Sequence, residues 1–197
     1  MKNVGVSLFS ILAIAVVLSG SALAQDNSSY FVTYFANNTA AAPDATVRFV
    51  NDGSADPLYA SIYVFDDSQE LTECCSCGVT ADGLLSESVR NQLTKNPLTG
   101  LVPTRGLIKV ISSLTESDVN THFAKNTPTA GLRGWSTHIQ SVANKYPTGP
   151  APFSQTETAF SNSNLSTTEQ SLLESLCYFD WKLSGKPCSC TQEDFDF

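Results

Sequence analysis

The residues of this chain with the most chemistry to offer are its six cysteines, which fall into two groups. Cys74, Cys75 and Cys77 lie in the middle of the sequence, and Cys177, Cys188 and Cys190 lie near its end. Thiols so spaced can do three things. Cys74 and Cys77 make a C-x-x-C pair, the spacing with which thioredoxin-like proteins exchange electrons when a helix N-terminus lowers the pKa of the first thiol. Cys75-Ser76-Cys77 and Cys188-Ser189-Cys190 offer four thiolates to zinc or copper. All six can also oxidise to structural bridges. The flanks of Cys74–Cys77 read as strand with no βαβ pattern around them, which removes the helix that a redox pair needs. Zinc sites usually space their ligands by two to four residues, whereas a single serine separates each pair here. Disulfides are therefore the expectation, with no metal and no cofactor. Neighbouring Cα atoms are too close for a relaxed Cys74–Cys75 bridge, so each must look elsewhere. At least one bridge is expected to join the two groups, with Cys177 to Cys188 or Cys190 as a candidate local pair. A bridge closing about 100 residues stabilises by up to ~4.7 kcal/mol in the chain-entropy account.

Other reactive groups are few. His122 and His138 are the only histidines. Gly134-Trp135-Ser136-Thr137-His138 begins like a nucleophile elbow, but histidine stands where the sharp turn requires glycine. His138 is read as an exposed or edge-strand residue, and no catalytic residue is assigned. Asn51-Asp52-Gly53-Ser54-Ala55-Asp56 carries oxygens near a turn yet lacks the alternate spacing and closing glutamate of a calcium loop, so it reads as a plain turn. Tyr59, Tyr63 and Phe65 recur on one face of a strand and, with Trp135, are the ligand-binding candidates. Exposed, they would form a stacking platform for sugar rings; buried, they are core. Asn27, Asn37 and Asn164 each begin an N-x-S/T acceptor sequence.

The elements that must position these groups read as mainly β. Tyr30–Phe35 is β-branched or aromatic throughout and predicts a strand. Thr46–Val50 alternates, with Val47 and Phe49 on one face. Leu58–Phe65 is apolar on both faces, which predicts a central strand. Asp66-Asp67-Ser68 predicts a hairpin turn returning through Gln69–Thr80, and Asp82-Gly83 a second turn before Leu84–Val89. Asn91–Arg105 reads as a long loop and Leu107–Ser112 as a strand. Thr115 to Phe123 predicts a short capped helix. Leu132, Trp135, Ile139 and Val142 fit one helical face while Arg133, Trp135, Thr137 and Ile139 fit a strand equally well, and strand is the expectation; Tyr146–Phe153 is a proline-stiffened connector, and Ser154–Phe160 is the expected last strand. Ser166-Thr167-Thr168-Glu169 is a capping box that opens a helix over about 167–183, with Leu172, Leu173, Leu176 and Cys177 as its apolar stripe. Closely spaced strands joined by turns point to an antiparallel β-sandwich, immunoglobulin- or fibronectin-like, with a C-terminal α-helix stapled to it by disulfides.

The N-terminus explains why oxidised cysteines are expected. Lys2 precedes an apolar stretch from Val4 to Leu18, and Ala22-Leu23-Ala24 supplies the small-x-small pattern of a cleavage site. Residues 1–24 are expected to be a signal peptide, leaving 25–197 as one domain that is secreted or periplasmic. No later run approaches the ~20 apolar residues of a membrane span. A formal charge of −8 repels phosphate backbones and excludes nucleic acid as a partner.

Ile62-Tyr63-Val64-Phe65-Asp66-Asp67-Ser68-Gln69-Glu70, then Glu73-Cys74-Cys75-Ser76-Cys77, Asp82-Gly83-Leu84 and Asn96-Pro97-Leu98-Thr99, resemble a group of secreted bacterial proteins with paired-cysteine motifs. Leu132-Arg133-Gly134-Trp135 and Cys188-Ser189-Cys190 are similar too. The resemblance implies export and a paired-cysteine architecture, and it brings no activity. The expected function is a non-catalytic structural or interaction domain outside the cytoplasm, with a protein or glycan partner at the cell surface. The alternative is a carbohydrate or small-ligand binding module; a cysteine-based metal protein and a hydrolase come behind it.

Overall fold

Among the described residues, strand-forming runs separated by turn residues build nine strands and one long helix. In this computed structural model the described residues are 28–37, 42–94, 99–116, 126–142, 152–184 and 190. The strands are β1 (Tyr30–Ala36), β2 (Thr46–Asn51), β3 (Leu58–Asp66), β4 (Leu71–Val79), β5 (Leu84–Ser88), β6 (Arg105–Ser113), β7 (Leu132–Ser141), β8 (Phe153–Ala159) and β9 (Ser161–Asn162), and the helix is α1 (Thr167–Ser184). They form two antiparallel sheets, ordered β4-β3-β6-β1-β9 and β5-β2-β7-β8. An isolated bridge between Asn37 and Ile139 brings the end of β1 beside β7 of the other sheet.

Alternation places the core. Val47 and Phe49 of β2, Phe31 and Phe35 of β1, and Leu58, Ala60, Ile62 and Val64 of β3 join Ile108, Val110, Leu132 and Ile139 in one apolar cluster that draws on both sheets. The opposite face of β3 is buried as well: Tyr63 and Phe65 pack with Tyr30, Cys74, Ile111 and the helix residue Leu173. Two buried faces make β3 the central strand its composition predicts. Asp66 sets the β3–β4 turn, accepting at Oδ1 from the amides of Ser68 and Glu70.

Helix α1 begins where the capping residue places it, with the Glu169 amide donating to Ser166 Oγ at 3.1 Å. The Glu169 side chain turns to the sheet instead of its own cap: Oε1 accepts from Lys109 Nζ at 2.5 Å and from the Tyr30 hydroxyl at 3.0 Å. The apolar stripe is narrower than expected, since Leu172 is exposed while Leu173 is buried. Two boundaries also differ. Val89–Leu93 forms a π-helical turn at the head of the expected loop, with the Ser88 hydroxyl accepting from the Asn91 amide. The short β9 follows β8, so Ser154–Phe160 is not the last strand. The expected signal peptide, most of the expected 115–123 helix and 146–153 connector, His122 and Cys188 lie outside the described residues. Among the described residues no helix is long and apolar enough to cross a membrane.

Candidate functional site

Strand β4 distributes its sulfurs by the period-2 rule. Adjacent Cys74 and Cys75 must face opposite sides, and Cys75 and Cys77 the same side. Cys74 bonds Cys177 on α1, and Cys77 bonds Cys190, each across a Cα separation of 5.6 Å. Cys75 is disulfide-bonded as well. The local bridge from Cys177 to Cys188 or Cys190 is therefore ruled out: Cys74 faces the helix and takes Cys177 itself. The sulfurs of Cys75, Cys77 and Cys190 lie within 4.8 Å of one another, a spacing that thiolates could use for a metal. Committed to disulfides, these sulfurs carry no thiolate charge, and Cys74 and Cys77 belong to different bridges, so they are no redox pair.

The placement of His138 corrects the expectation of an exposed or edge position. β7 is flanked by β2 and β8, and the imidazole is fully buried. Its Nε2 lies 2.7 Å from Thr158 Oγ1 and 3.2 Å from Ser136 Oγ, which in turn lies 2.8 Å from Thr33 Oγ1 of the other sheet. Ser136 and His138, two apart on one strand, do come together, but both are buried, and Nδ1 has no hydrogen-bond partner among the described residues. Burial lowers the pKa of His138. These contacts tie β7 to β8 through Thr158 and to β1 through Thr33.

Of the aromatic candidates, Tyr63 and Phe65 share the buried cluster beneath α1, and Tyr59 and Trp135 stand apart from it. Tyr63 is buried at 2% exposure, its hydroxyl accepting from Asn126 Nδ2 at 2.8 Å. Tyr59 is half-buried across Gly78 of β4, its register partner. Trp135 is half-buried on the other sheet, paired with Arg48 and Ala159. In Asn51–Asp56, Asn51 Oδ1 accepts from the Gly53 amide, Asp52 Oδ1 from the Ser54 amide and Asp56 Oδ1 from the Ala81 amide. Asn37 is buried, which removes it as a glycan acceptor.

The open polar and aromatic groups lie elsewhere, at the end of the sheets that carries the β3–β4 turn. A cleft of about 580 Å³ is lined by Tyr34, Asp66, Asp67, Arg105, Leu107 and Gln140 among others. A second of about 450 Å³ shares Asp66, Asp67 and Arg105 and adds Glu70 and the 99–104 loop. Between them Arg105 grips Asp67, with Nε at 2.7 Å and Nη2 at 2.6 Å from Oδ2. Tyr34, 48% exposed, stacks one face on His138 at a centroid distance of 4.0 Å and an interplanar angle of 12°. Sequence reading missed Tyr34 because it sits inside an unbroken strand-forming run. The available signal was its parity: Phe31, Thr33 and Phe35 point one way and Tyr34 the other. Compared with known proteins, the chain matches no family model, no curated protein and no solved structure.

Proposed function

We propose that this chain is a non-catalytic interaction module that works outside the cytoplasm, released from its leader after Ala24. In this reading the two sheets are the halves of an immunoglobulin- or fibronectin-like β-sandwich. The neighbours β2–β5 and β3–β6 correspond to the B–E and C–F pairs of that fold, while β7 stands beside β2 where an immunoglobulin strand G would join F.

The observation that carries the proposal is the bridging of β4 on both of its faces, to α1 through Cys74 and to Cys190 through Cys77. Such a strand is stable only where thiols stay oxidised. The resemblance to secreted bacterial proteins with paired cysteines supports the same compartment. A ligand-binding role is the second reading, favoured by the open cleft above Arg105.

The test is the intact mass of the exported protein, native and denatured without reductant, with and without a thiol alkylator. A mass that begins at Gln25, lacks six hydrogens and takes up no alkylator is expected. Free thiols or a bound metal would overturn the reading.

A further inference from the structure

We propose that the cleft over β1, β6 and the β3–β4 turn binds a neutral sugar ring, with Tyr34 as its stacking platform. This rests on the reading of the chain as an extracytoplasmic interaction module and names the class of ligand it takes.

The platform comes first. In the register of the sheet, Tyr34 stands opposite Leu107, and Leu107 opposite Phe65, so the three side chains share one face. Tyr34 is the exposed end of that row. Its ring is not free to swing, because the nearly parallel imidazole of His138 is stacked on one face, and His138 is itself held by Thr158 and Ser136. A rigid aromatic face, open on one side, loses little entropy when the C–H face of a pyranose settles on it.

The polar rim then selects among ligands. Asp66, Asp67, Arg105 and Gln140 line the same cleft as Tyr34. The Gln140 amide and the Tyr34 hydroxyl have no side-chain partner among the described residues, and Gln140 is exposed. Carboxylates accept, guanidinium donates, and an amide and a phenol do both. An anion would meet two carboxylates, and Arg105, the one cationic side chain lining the cleft among the described residues, is already neutralised by Asp67 at 2.6 Å. A cation would waste the donors of Arg105 and Gln140. A ligand whose vicinal hydroxyls each donate and accept satisfies the whole set, and that ligand is a neutral sugar. The volume of about 580 Å³ lies within the ~300–1,000 Å³ of small-ligand sites.

The experiment titrates the full oxidised chain with neutral oligosaccharides of glucose, xylose, mannose and N-acetylglucosamine, following the side-chain resonances of Tyr34 and Gln140. Oligo-arginine and dextran sulfate are titrated alongside. At least one neutral oligosaccharide is expected to shift both residues, with affinity weakened ~10-fold or more in Tyr34→Ala and held within ~3-fold in Tyr34→Phe, which keeps the ring face. Should Tyr34→Ala fail to fold, Gln140→Ala, an exposed change, is expected to weaken binding ~3-fold or more in a folded protein. If no neutral sugar moves Tyr34 at millimolar concentration while the intact mass shows all cysteines bridged, the sugar assignment falls and the interaction module stands. Binding of oligo-arginine or dextran sulfate at Tyr34 instead also overturns it, as does sugar binding that Tyr34→Ala leaves unchanged. Free thiols in the exported chain would overturn the underlying reading and this one with it.

Discussion

Tyr34 of β1 lies flat on the imidazole of His138 of β7, ring centroids 4.0 Å apart, so an exposed aromatic is braced by a buried histidine of the other sheet. The contact sits where the Asn37–Ile139 bridge joins the two sheets, and the Thr33–Ser136 hydroxyl pair crosses between them close by.

His138 makes stability depend on pH. Its folded pKa is below the ordinary 6.5 because burial penalises the charged ring. The unfolded chain therefore takes up the proton first. Its stabilising contribution is fully present above the unfolded value and is lost as pH falls through it toward the folded value. The urea midpoint of the wild-type protein is expected to drop between pH 7.5 and about 5, and that of His138→Gln to drop less. Equal slopes in the two proteins would refute the assignment.

Asp180 acts with the opposite sign. Burial raises its carboxyl to about 6 from 3.8. The folded chain holds this proton more tightly, so stability falls as pH rises from 3.8 through 6 and the cost persists above it. Asp180→Asn is expected to gain about 1–2 kcal/mol at pH 8 and nothing below about pH 4. Thermal melts of both proteins across that range provide the check; a gain independent of pH would rule out titration as its cause.

The bridges are worth less singly than their span implies. Cys74–Cys177 closes 103 residues, yet with Cys77–Cys190 in place the remaining loop is only three residues of β4 and thirteen near the chain's end. Double replacement of Cys74 and Cys177 by alanine is therefore expected to cost about 3 kcal/mol or less, not the ~4.7 of an isolated loop of this size. Chemical denaturation of the variant decides between them.

Two glycines differ in what a methyl group would meet. At Gly106 a Cβ would lie 2.0 Å from the Phe65 carbonyl oxygen, which is fixed in the sheet. At Gly134 it would lie 2.8 Å from the Phe160 ring and 3.0 Å from that of Phe49. Rings can tilt where a paired backbone cannot. Gly134→Ala is expected to cost about 1–3 kcal/mol, and Gly106→Ala more, as a larger drop in melting temperature. The reverse order would show that the sheet yields more easily than the core.

Lys109 holds the helix to the sheet. Its ammonium meets Glu169 Oε1 at 2.5 Å, and the Tyr30 hydroxyl shares that oxygen. Burial raises the Glu169 pKa, but the Lys109 and Tyr30 hydrogen bonds outweigh it and leave the carboxyl below its usual value. Lys109→Met is expected to destabilise by about 1 kcal/mol and to speed amide exchange in the first turns of α1. Unchanged exchange there would refute this anchoring role.

Much of the strand pattern was legible because it is local. The two apolar faces of Leu58–Phe65 predicted a central strand, and the Asp66-Asp67-Ser68 turn predicted its partner. The capping serine placed the start of α1, although Glu169 found a better partner across the sheet than the Ser166 amide. His138 was misread because the exposure of a strand residue depends on which strand lies beside it, and β8 supplies that neighbour. Leu172 was misread because a stripe of apolar residues does not show how much of a helix the sheet will cover.

The sequence by itself determined most of the strands and turns, the start of α1, the net acidity and the oxidised state of the described cysteines, since each follows from residue type and short spacing. Which sheet each strand joins, which cysteine meets which, and where the open cleft lies were decided by tertiary structure. Cys74 and Cys177 are 103 residues apart, and Tyr34 and His138 lie on different strands of different sheets. No local pattern carries such distances; they are set when the two sheets and the helix bury their apolar faces together.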